Sequence, residues 1–313
     1  MDINTNAFSN SRVIITGHTG FKGSWLSLWL SQMGADVIGI SDAIPTNPSH
    51  YESACLKNTI KDIRVDIRDE KNLINNILKI KPDYLFHLAA QPIVKESIFN
   101  PIKTWNINTI GTINILESLR KLNNPCISIF ITSDKVYDNQ EWTWGYRETD
   151  TIGGGDPYSA SKGGAELAIS SYFRSYFKDL NNIKIAIGRA GNVIGGGDWA
   201  ANRIVPDCIR SWQLKKPVLI RNPYSTRPWQ HVLEPLSGYI SLASNLYSSR
   251  KINGEAFNFG PAMEENKTVL NVVNSLKDSF DFGEYIIDQS SQSNENESKL
   301  LKLNCDKSLE ALN

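Results

Sequence analysis

Cysteine, methionine and histidine are scarce in this chain of 313 residues, which contains four, three and four of them respectively. The four cysteines lie far apart, and the sequence has neither a Cys-x-x-Cys pair nor a close Cys/His spacing. Zinc sites depend on such clusters, so we expect no metal site. Widely separated cysteines instead predict reduced thiols, as in a cytoplasmic protein.

An excess of either charge is also missing, since 33 Lys and Arg balance 33 Asp and Glu. A neutral chain shows no electrostatic signature of nucleic-acid or anionic-membrane binding. No stretch approaches the roughly 18 uninterrupted apolar residues of a spanning helix. The first residues, MDINTNAFSNSR, lack the apolar run of a signal peptide. We therefore expect a soluble cytoplasmic protein without nucleic-acid or membrane partners.

Strand and helix patterns alternate along the first 190 residues. Short apolar strands are predicted at 12–16, 35–40, 63–66, 84–88, 128–132 and 183–187. Helical patterns are predicted at 21–33, 70–80 and 101–122 and from Tyr158 onward, and Gly34 ends the first of them. This alternation predicts an α/β fold with a Rossmann-type, doubly wound parallel sheet.

The regular alternation weakens after about residue 189, where glycine, proline, tryptophan and arginine crowd together in RAGNVIGGGDW and RNPYSTRPWQH. Irregular, aromatic-rich segments after a rigid scaffold usually carry a binding site. We predict a nucleotide-binding domain over 11–188, with a return segment near 228–252. A smaller α/β substrate-binding domain would comprise 189–227 and 253–313.

A glycine-rich turn joins the first predicted strand to the first predicted helix. Gly17, Gly20 and Gly23 have the spacing GxxGxxG in TGHTGFKG, which lets the backbone approach a pyrophosphate at a helix N-terminus. Asp42, just past the second strand, favours NAD over NADP because a carboxylate binds the ribose hydroxyl and repels a phosphate. Asp66 has a similar position after the third strand and is a candidate adenine contact. The alternative for Asp42 is a simple turn residue.

A second motif, Tyr158-Ser-Ala-Ser-Lys162, opens a predicted helix and places the tyrosine and lysine on one face. A nearby ammonium lowers the pKa of a phenol from about 10, and a phenolate can take the proton of an alcohol. The pattern YxxxK is common on its own. Behind a glycine turn and a strand that ends in Thr-Ser133-Asp134-Lys135, it indicates a dehydrogenase site.

These motifs together resemble a known family. TGHTGFKG, HLAAQ, Asn108 in NTIGT and YSASK are similar to the extended short-chain dehydrogenase/reductases. More narrowly, TGHTGFKGSWL, TSDK, RAGNVIGGGDW, RIVPD and TRPWQHVLEPL resemble the CDP-glucose 4,6-dehydratase family. The resemblance implies an NAD-dependent homodimer that converts CDP-glucose to CDP-4-keto-6-deoxyglucose.

The resemblance also implies two sets of site residues. The NAD-binding set comprises Gly17, Gly20, Phe21, Gly23, Asp42, Asp66, Ile67, Leu88, Ala89, Ala90, Asn108, Tyr158 and Lys162. The catalytic set comprises Ser133, Asp134, Lys135, Tyr158 and Lys162. Tyr158, with Ser133 and Lys162, would oxidise C4 of the glucose, after which water would leave from C5 and C6.

Elimination of water requires a base near C5 and an acid near the C6 hydroxyl. Related dTDP-glucose dehydratases have an Asp-Glu pair at this position, whereas this chain has Asp134-Lys135, as the CDP-glucose branch does. Lys135 can act as base only if its pKa falls from about 10.4, through burial, Lys162 and the nicotinamide. Asp134 needs a raised pKa to act as acid. An exchange of these two roles, and a plain ion pair, are the alternatives.

Arginines gather in the irregular C-terminal segments, and guanidinium groups suit a diphosphate. Arg227 resembles the family's diphosphate ligand, with Arg203, Arg221 and Asn192 as further candidates. Trp229 is a candidate to stack on the base or the sugar, or else a core residue.

Three rival functions stay open from the residues alone: a sugar-nucleotide epimerase, a 4,6-dehydratase for another nucleotide sugar, and a non-catalytic NAD-binding module. TSDK argues against the epimerase, and the presence of Ser133, Tyr158 and Lys162 argues against the non-catalytic module. Family members typically continue beyond the segment that ends at Asn313, so we expect a substrate-binding domain that is shortened at its C-terminus.

Overall fold

The computed structural model describes residues 5–262, 265, 267–288 and 300–312. Its strands, in chain order, are β1 (Arg12–Thr16), β2 (Asp36–Ser41), β3 (Lys61–Arg64), β4 (Tyr84–His87), β5 (Cys126–Ile131), β6 (Ile183–Ala190), β7 (Val193–Ile194), β8 (Val218–Ile220), β9 (Thr226–Arg227), β10 (Gln230–His231), β11 (Ala256–Phe259), β12 (Lys267–Thr268) and β13 (Tyr285–Ile287).

A seven-stranded sheet in the order β11-β6-β5-β4-β1-β2-β3 forms the centre of the molecule, and every neighbouring pair is parallel. The order reverses on either side of β1, as it does in dinucleotide-binding folds, and a crevice opens there at the carboxyl ends of the strands. The predicted fold class, a Rossmann-type parallel sheet, is confirmed.

The helices are α1 (Phe21–Gln32), α2 (His50–Ser53), α3 (Glu70–Ile80), α4 (Val94–Phe99), α5 (Pro101–Trp105), α6 (Gly111–Arg120), α7 (Pro157–Tyr172), α8 (Ile204–Gln213), α9 (Leu233–Ser248), α10 (Val269–Lys277) and α11 (Asp306–Leu312). A π-helical turn, Asn106–Ile110, joins α5 to α6. The long helix predicted at 101–122 is therefore present with a bulge, a feature that often lies near functional sites.

Local sequence explains where the two site-bearing helices begin and end. Gly34 has a φ of +84°, a left-handed conformation that suits glycine, and it follows the last turn of α1 as predicted. At the start of α7, the Asp156 side chain accepts a hydrogen bond from the backbone N–H of Ser159, and Pro157 occupies the first turn. This cap places Tyr158 in the first turn of the helix, at the rim of the crevice.

Apolar side chains cover both faces of the sheet. Ile15, Ile129 and Leu236 belong to a buried cluster between the sheet and helices α1 and α9. Ile14 and Leu116 belong to a second cluster, on the face that carries α3, α6 and α7. Burying each such side chain contributes about 1.5–3 kcal/mol, so the two layers hold the strand ends rigidly.

The chain returns to the sheet after the irregular segments. Helix α9 lies within the predicted return segment, 228–252, and packs on β5 and β6. Strand β11 then pairs with β6, so the sheet includes four residues that the sequence assigns to the substrate-binding domain. The strand AFNF is too short to be recognised from its pattern alone. The domain boundaries themselves stay a prediction.

The remaining strands form three two-stranded sheets, β7 with β10, β8 with β13, and β9 with β12. A small apolar cluster that includes Trp212, Ile220 and Val273 supports this part of the molecule. Among the helices of the described residues, none has the length and apolar character to cross a membrane.

Candidate active site

A cavity of about 690 Å³ opens at the carboxyl ends of β5 and β6, between the sheet and the irregular segments. This volume suits a small-molecule ligand. Nine of the predicted site residues line it: Ser133, Asp134, Lys135, Tyr158, Asn192, Arg203, Arg221, Arg227 and Trp229. The structure thus brings together the predicted substrate-binding residues and every predicted catalytic residue except Lys162, from positions up to 96 apart in the sequence.

The glycine turn fits a dinucleotide. Gly17 has a φ of +75°, and a Cβ there would lie 2.7 Å from the backbone nitrogen of Ala89. A Cβ at Gly23 would lie 2.1 Å from the Gly17 oxygen, whereas a Cβ at Gly20 would meet only that oxygen, at 3.3 Å. The first and third glycines therefore keep the turn compact, and Gly20 leaves its outer side open. No side chain caps α1, so its first backbone N–H groups suit the pyrophosphate of NAD.

Most of the other predicted cofactor residues lie near the ends of the strands beside this turn. Asp42 follows β2 and is exposed, and the backbone N–H of Leu88, after β4, donates to the Thr16 oxygen. Asp66 forms an ion pair with Arg68. The rest of this group are Phe21, Ile67, Ala89 and Ala90. Their roles in binding NAD stay predictions.

Asn108 is buried in the π-helical turn, and its side chain forms hydrogen bonds with Gln91 and Ser161. Its Oδ1 accepts from the backbone N–H of Gln91 at 2.8 Å, and its Nδ2 donates to the Gln91 oxygen and to Ser161 Oγ. These contacts tie the loop after β4 to α7. The assignment of Asn108 to cofactor binding stays a prediction.

Tyr158 and Lys162 are both buried on the same face of α7. Lys162 Nζ donates to the Ile131 oxygen at 3.2 Å. Burial, together with the charge of Lys22, lowers the pKa of Lys162 to about 7, and Glu166 opposes this shift. Burial raises the pKa of Tyr158 to about 12, which a hydrogen bond with Ser133 partly offsets. The expected lowering of the tyrosine pKa is therefore absent in the protein without cofactor, because desolvation of the phenolate outweighs nearby cations.

Asp134 lies at the floor of the cavity with one oxygen unpaired. Ser133 Oγ donates to Asp134 Oδ1 at 2.9 Å, while Oδ2 is buried without a hydrogen-bond partner among the described residues. Burial raises the pKa of Asp134, against the opposing effects of Lys135, Ser133, Arg227 and Lys22. The direction is the one that a general acid requires. Lys135 is half-buried beside it and also lines the cavity.

Lys22, in the glycine turn, is a cavity residue that our reading of the sequence missed. Burial and Arg203 lower the pKa of Lys22 to about 8, and Asp134 opposes this shift. Its Nζ lies 5.8 Å from the centre of the Tyr239 ring. The signal was a charged residue within a motif otherwise made of small and apolar residues.

A buried ion pair behind the cavity was also missed. Glu166 accepts from Thr132 Oγ1 and from the guanidinium of Arg189, whose Nη1 donates to Tyr137 Oη at 2.8 Å. Tyr137 in turn donates to Asn258 Oδ1 at 2.6 Å. We call these five residues the Glu166 cluster. Glu166 follows Lys162 by four positions, so helical spacing alone could have found it.

The arginines lie on the cavity wall opposite the sheet. Arg227 is buried and donates to the Thr226 oxygen at 2.7 Å, and Arg203 pairs with Asp198 at 2.8 Å. Arg221 is exposed at the rim. Trp229 Nε1 donates to the Lys267 oxygen at 3.1 Å, a bond that anchors the indole beside the cavity. Their contacts with substrate stay predictions.

The parallel sheet, the glycine turn and the Tyr158-Lys162 pair beside Ser133 define the class of the protein as a short-chain dehydrogenase/reductase of the extended kind. Comparisons with known proteins narrow the class. Residues 14–300 match the model of the GDP-mannose 4,6 dehydratase family. The chain belongs to this family, whose members are NAD-dependent hydro-lyases of sugar nucleotides.

Individual relatives agree with this assignment. The chain is 47% identical to a CDP-glucose 4,6-dehydratase of Salmonella typhimurium, over 97% of this chain and 86% of the relative. It is 29% identical to a CDP-paratose 2-epimerase of Salmonella typhi, over 85% of this chain and 84% of the relative. The predicted resemblance to the dehydratase family is confirmed.

Solved structures show the same fold. An epimerase from Methanothermobacter thermautotrophicus has a TM-score of 0.81 at 23% identity and covers 98% of this chain and 88% of its own. A dTDP-glucose 4,6-dehydratase from Streptomyces venezuelae, solved with NAD bound, has a TM-score of 0.80 at 20% identity. The match covers 96% of this chain and 90% of the dehydratase chain.

Proposed function

We propose that this protein converts CDP-glucose to CDP-4-keto-6-deoxyglucose and water. The observation that carries the proposal is the 47% identity to a CDP-glucose 4,6-dehydratase along almost the whole chain. A second relative, the CDP-paratose epimerase, is also named for a CDP-sugar, which favours a cytidine nucleotide over the alternatives. The pair Asp134-Lys135 in the cavity supports a dehydratase rather than an epimerase.

NAD, when bound, supplies the hydride acceptor for oxidation at C4 and the hydride that returns to C6. Backbone groups of the glycine turn, at Gly17, Gly20 and Gly23, would hold its pyrophosphate, and Asp42 its ribose. Tyr158 would take the proton of the C4 hydroxyl, with Ser133 orienting that hydroxyl. The ammonium of Lys162 would stabilise the phenolate form of Tyr158, which is the form that can accept this proton.

Elimination would use the two residues after Ser133. The C4 ketone acidifies the C5 proton, which the amine nitrogen of Lys135 accepts, while the carboxyl of Asp134 donates its proton to the C6 hydroxyl. The C5–H electron pair forms the C5=C6 bond, and the C6–O pair leaves with water. Because Asp134 is the buried member with a raised pKa, we assign it the acid role and Lys135 the base role. The reverse assignment, with Lys135 as the acid and Asp134 as the base, is the alternative.

The segments at 189–227 and 253–313 would form most of the substrate-binding domain, with β11 belonging to the sheet. The diphosphate would bind Arg227, which is buried in the wall of the cavity, with Arg203, Arg221 and Asn192 nearby. Trp229 would contact the base or the sugar.

We further propose a homodimer in the cytoplasm. Helices α5 and α7 and the turns that follow them expose large apolar side chains: Ile102, Trp105, Ile110, Leu167 and Tyr176. An exposed apolar patch of this kind favours association between copies. Sedimentation should give the mass of a dimer, and Leu167→Glu should shift it to that of a monomer. All four cysteines are free thiols, as expected for a reducing compartment.

The test of the function is turnover with purified protein. The chain, with catalytic NAD, should convert CDP-glucose to a product with the alkaline absorbance of a 4-keto-6-deoxy sugar. dTDP-glucose and GDP-mannose serve as comparison substrates and should react at least roughly tenfold more slowly, since a buried hydrogen-bonding group left unpaired costs about 1–3 kcal/mol. Equal turnover of all three would contradict the proposed specificity. Binding of NAD without turnover of any of them would contradict the proposed reaction.

A further inference from the structure

Tyr239, on helix α9, lies next to Lys22, a residue that lines the cavity. Its ring packs on the backbone of Gly188 in β6, where a Cβ would come within 2.8 Å of the tyrosine Cε1. It also meets Phe259 edge to face, with ring centres 5.6 Å apart. The side chain is fully buried, and Lys22 of the glycine turn lies over its ring. Packing therefore fixes the direction of the ring and of its hydroxyl.

Two polar atoms in this part of the protein are buried without a hydrogen-bond partner among the described residues, Tyr239 Oη and Asp134 Oδ2. Buried polar groups are nearly always paired, because leaving one unpaired costs free energy. The two atoms also have complementary roles, since a phenol donates and a carboxylate oxygen accepts. Gly188, on which the Tyr239 ring packs, accepts a hydrogen bond from the backbone N–H of Thr132, two residues before Asp134. An electrostatic interaction between Tyr239 and Asp134 agrees with this proximity.

The other groups that face Asp134 come from three directions. Lys135 and Ser133 belong to its own segment, Arg227 lies on the opposite wall, and Lys22 projects from α1. Tyr239 faces Asp134 and Tyr158 from α9. The Ser133 hydroxyl already bonds to Oδ1. The phenol of Tyr239 is therefore well placed to donate a hydrogen bond to the second oxygen of Asp134, Oδ2.

We propose that Tyr239 is a positioning residue for the elimination step, whose hydroxyl donates a hydrogen bond to Asp134 Oδ2 as this carboxyl gives up its proton. The bond would form directly when the carboxyl turns about its Cβ–Cγ bond, or through one water molecule. This inference rests on the proposed function and on the acid role of Asp134.

The step balances without another reactant. The Asp134 proton moves to the C6 hydroxyl, the C6–O bond breaks with its electron pair on oxygen, and water leaves. Asp134 is left as a carboxylate, which the Tyr239 hydroxyl stabilises. The bond is thus stronger at the transition state than in the ground state, where the carboxyl is neutral, and such differential stabilisation accelerates the reaction.

The test is Tyr239→Phe, which keeps the packed ring and removes only the hydroxyl. We expect kcat for CDP-glucose to fall roughly ten- to hundredfold, the effect of losing one hydrogen bond to a charged group, with KM little changed. A donor to the carboxylate lowers the pKa of Asp134, so its loss should raise that pKa. Because the acid role needs the protonated carboxyl, the alkaline limb of the kcat profile should move to higher pH.

Ser241→Ala is the matched control, because the Ser241 hydroxyl, also on α9, is likewise buried without a hydrogen-bond partner in the part of the chain that the structure describes. It should leave kcat and the alkaline limb unchanged. The double variant Asp134→Asn/Tyr239→Phe should be no slower than Asp134→Asn alone, since Tyr239 acts through Asp134.

Unchanged turnover in Tyr239→Phe, or a fall without movement of the alkaline limb, would overturn this inference while the proposed function stands. An additive loss in the double variant would overturn it as well. Absence of turnover in the unmodified protein would instead contradict the proposed function, and this inference with it.

Discussion

Two carboxyl groups lie buried at neighbouring points of the molecule, and their surroundings are opposite. Glu166 has hydrogen bonds to both oxygens, from Arg189 and Thr132, within a closed cluster. Asp134 has one neutral donor, Ser133, and an oxygen with no hydrogen-bond partner among the described residues, and it borders the cavity. Both side chains are at most 3% exposed.

The difference distinguishes Glu166, whose carboxylate has a structural role, from Asp134, whose carboxyl group we propose takes part in the reaction. A buried carboxylate with hydrogen bonds to both oxygens holds its partners in place, here the end of β5 and the segment around Tyr137. A buried carboxyl without a cationic hydrogen-bond partner retains its proton more easily and can pass it to a ligand. Burial alone therefore does not identify a reactive group, whereas the completeness of its hydrogen bonds helps to do so.

The largest effect should come from changing the reactive carboxyl. Asp134→Asn removes the acid and should lower kcat by roughly 10²- to 10⁴-fold, the usual contribution of a positioned acid or base. The free energy of unfolding should change little, because no paired charge is lost. Steady-state kinetics and urea unfolding measure the two quantities.

Lys135→Ala should lower kcat by a comparable factor, and Asp179→Asn, at an exposed site, should lower neither kcat nor stability. Recovery of turnover in Lys135→Ala by added alkylamines would support the base role of Lys135. Failure of small carboxylic acids to recover turnover in Asp134→Gly would count against the acid role of Asp134. Normal turnover in Lys135→Ala would remove its role altogether.

Substitutions in the Glu166 cluster should mainly lower the free energy of unfolding, whereas Asp134→Asn mainly lowers kcat. Arg189→Leu leaves the Glu166 carboxylate buried without its cation and should cost about 3–5 kcal/mol of unfolding free energy. The double variant Arg189→Leu/Glu166→Leu should recover much of this loss, since the unpaired charge is gone. A single variant within about 1 kcal/mol of the unmodified protein would show that the ion pair does not have the structural role assigned to it.

An effect that depends on pH should arise at Lys162, which interacts electrostatically with Glu166 and with Lys22 of the cavity lining. Its pKa is about 7 in the folded protein against 10.5 ordinarily, so between these values the unfolded chain holds a proton that the folded chain lacks. Stability should therefore rise with pH across this range, by at most about 1.4 kcal/mol per pH unit. Lys162→Met should flatten that rise, measured by urea unfolding in a pH series, while Lys178→Met, at an exposed position, should keep it. An unchanged slope in Lys162→Met would mean that other groups cause the rise.

Much of this organisation could be predicted because it depends on neighbours in the chain. Alternating strands and helices, the left-handed Gly34 and the glycine turn are local patterns, and each appears where the sequence predicts it. Tyr158 and Lys162 share a helix face through their spacing of four. The family resemblance extends these short-range signals to the cavity residues, and relatives confirm the family.

Other properties depend on groups that meet only when the chain folds. The raised pKa of Tyr158 follows from desolvation, and the strand Ala256–Phe259 gains its place from pairing with β6. Lys22 and Tyr239, 217 positions apart, converge beneath Asp134, as no spacing pattern indicates. The sequence by itself thus determined the fold class and the glycine turn, and it predicted most of the side chains that meet in the cavity. Only the tertiary structure decided which buried charges are paired, because pairing and desolvation are set by residues distant in the chain.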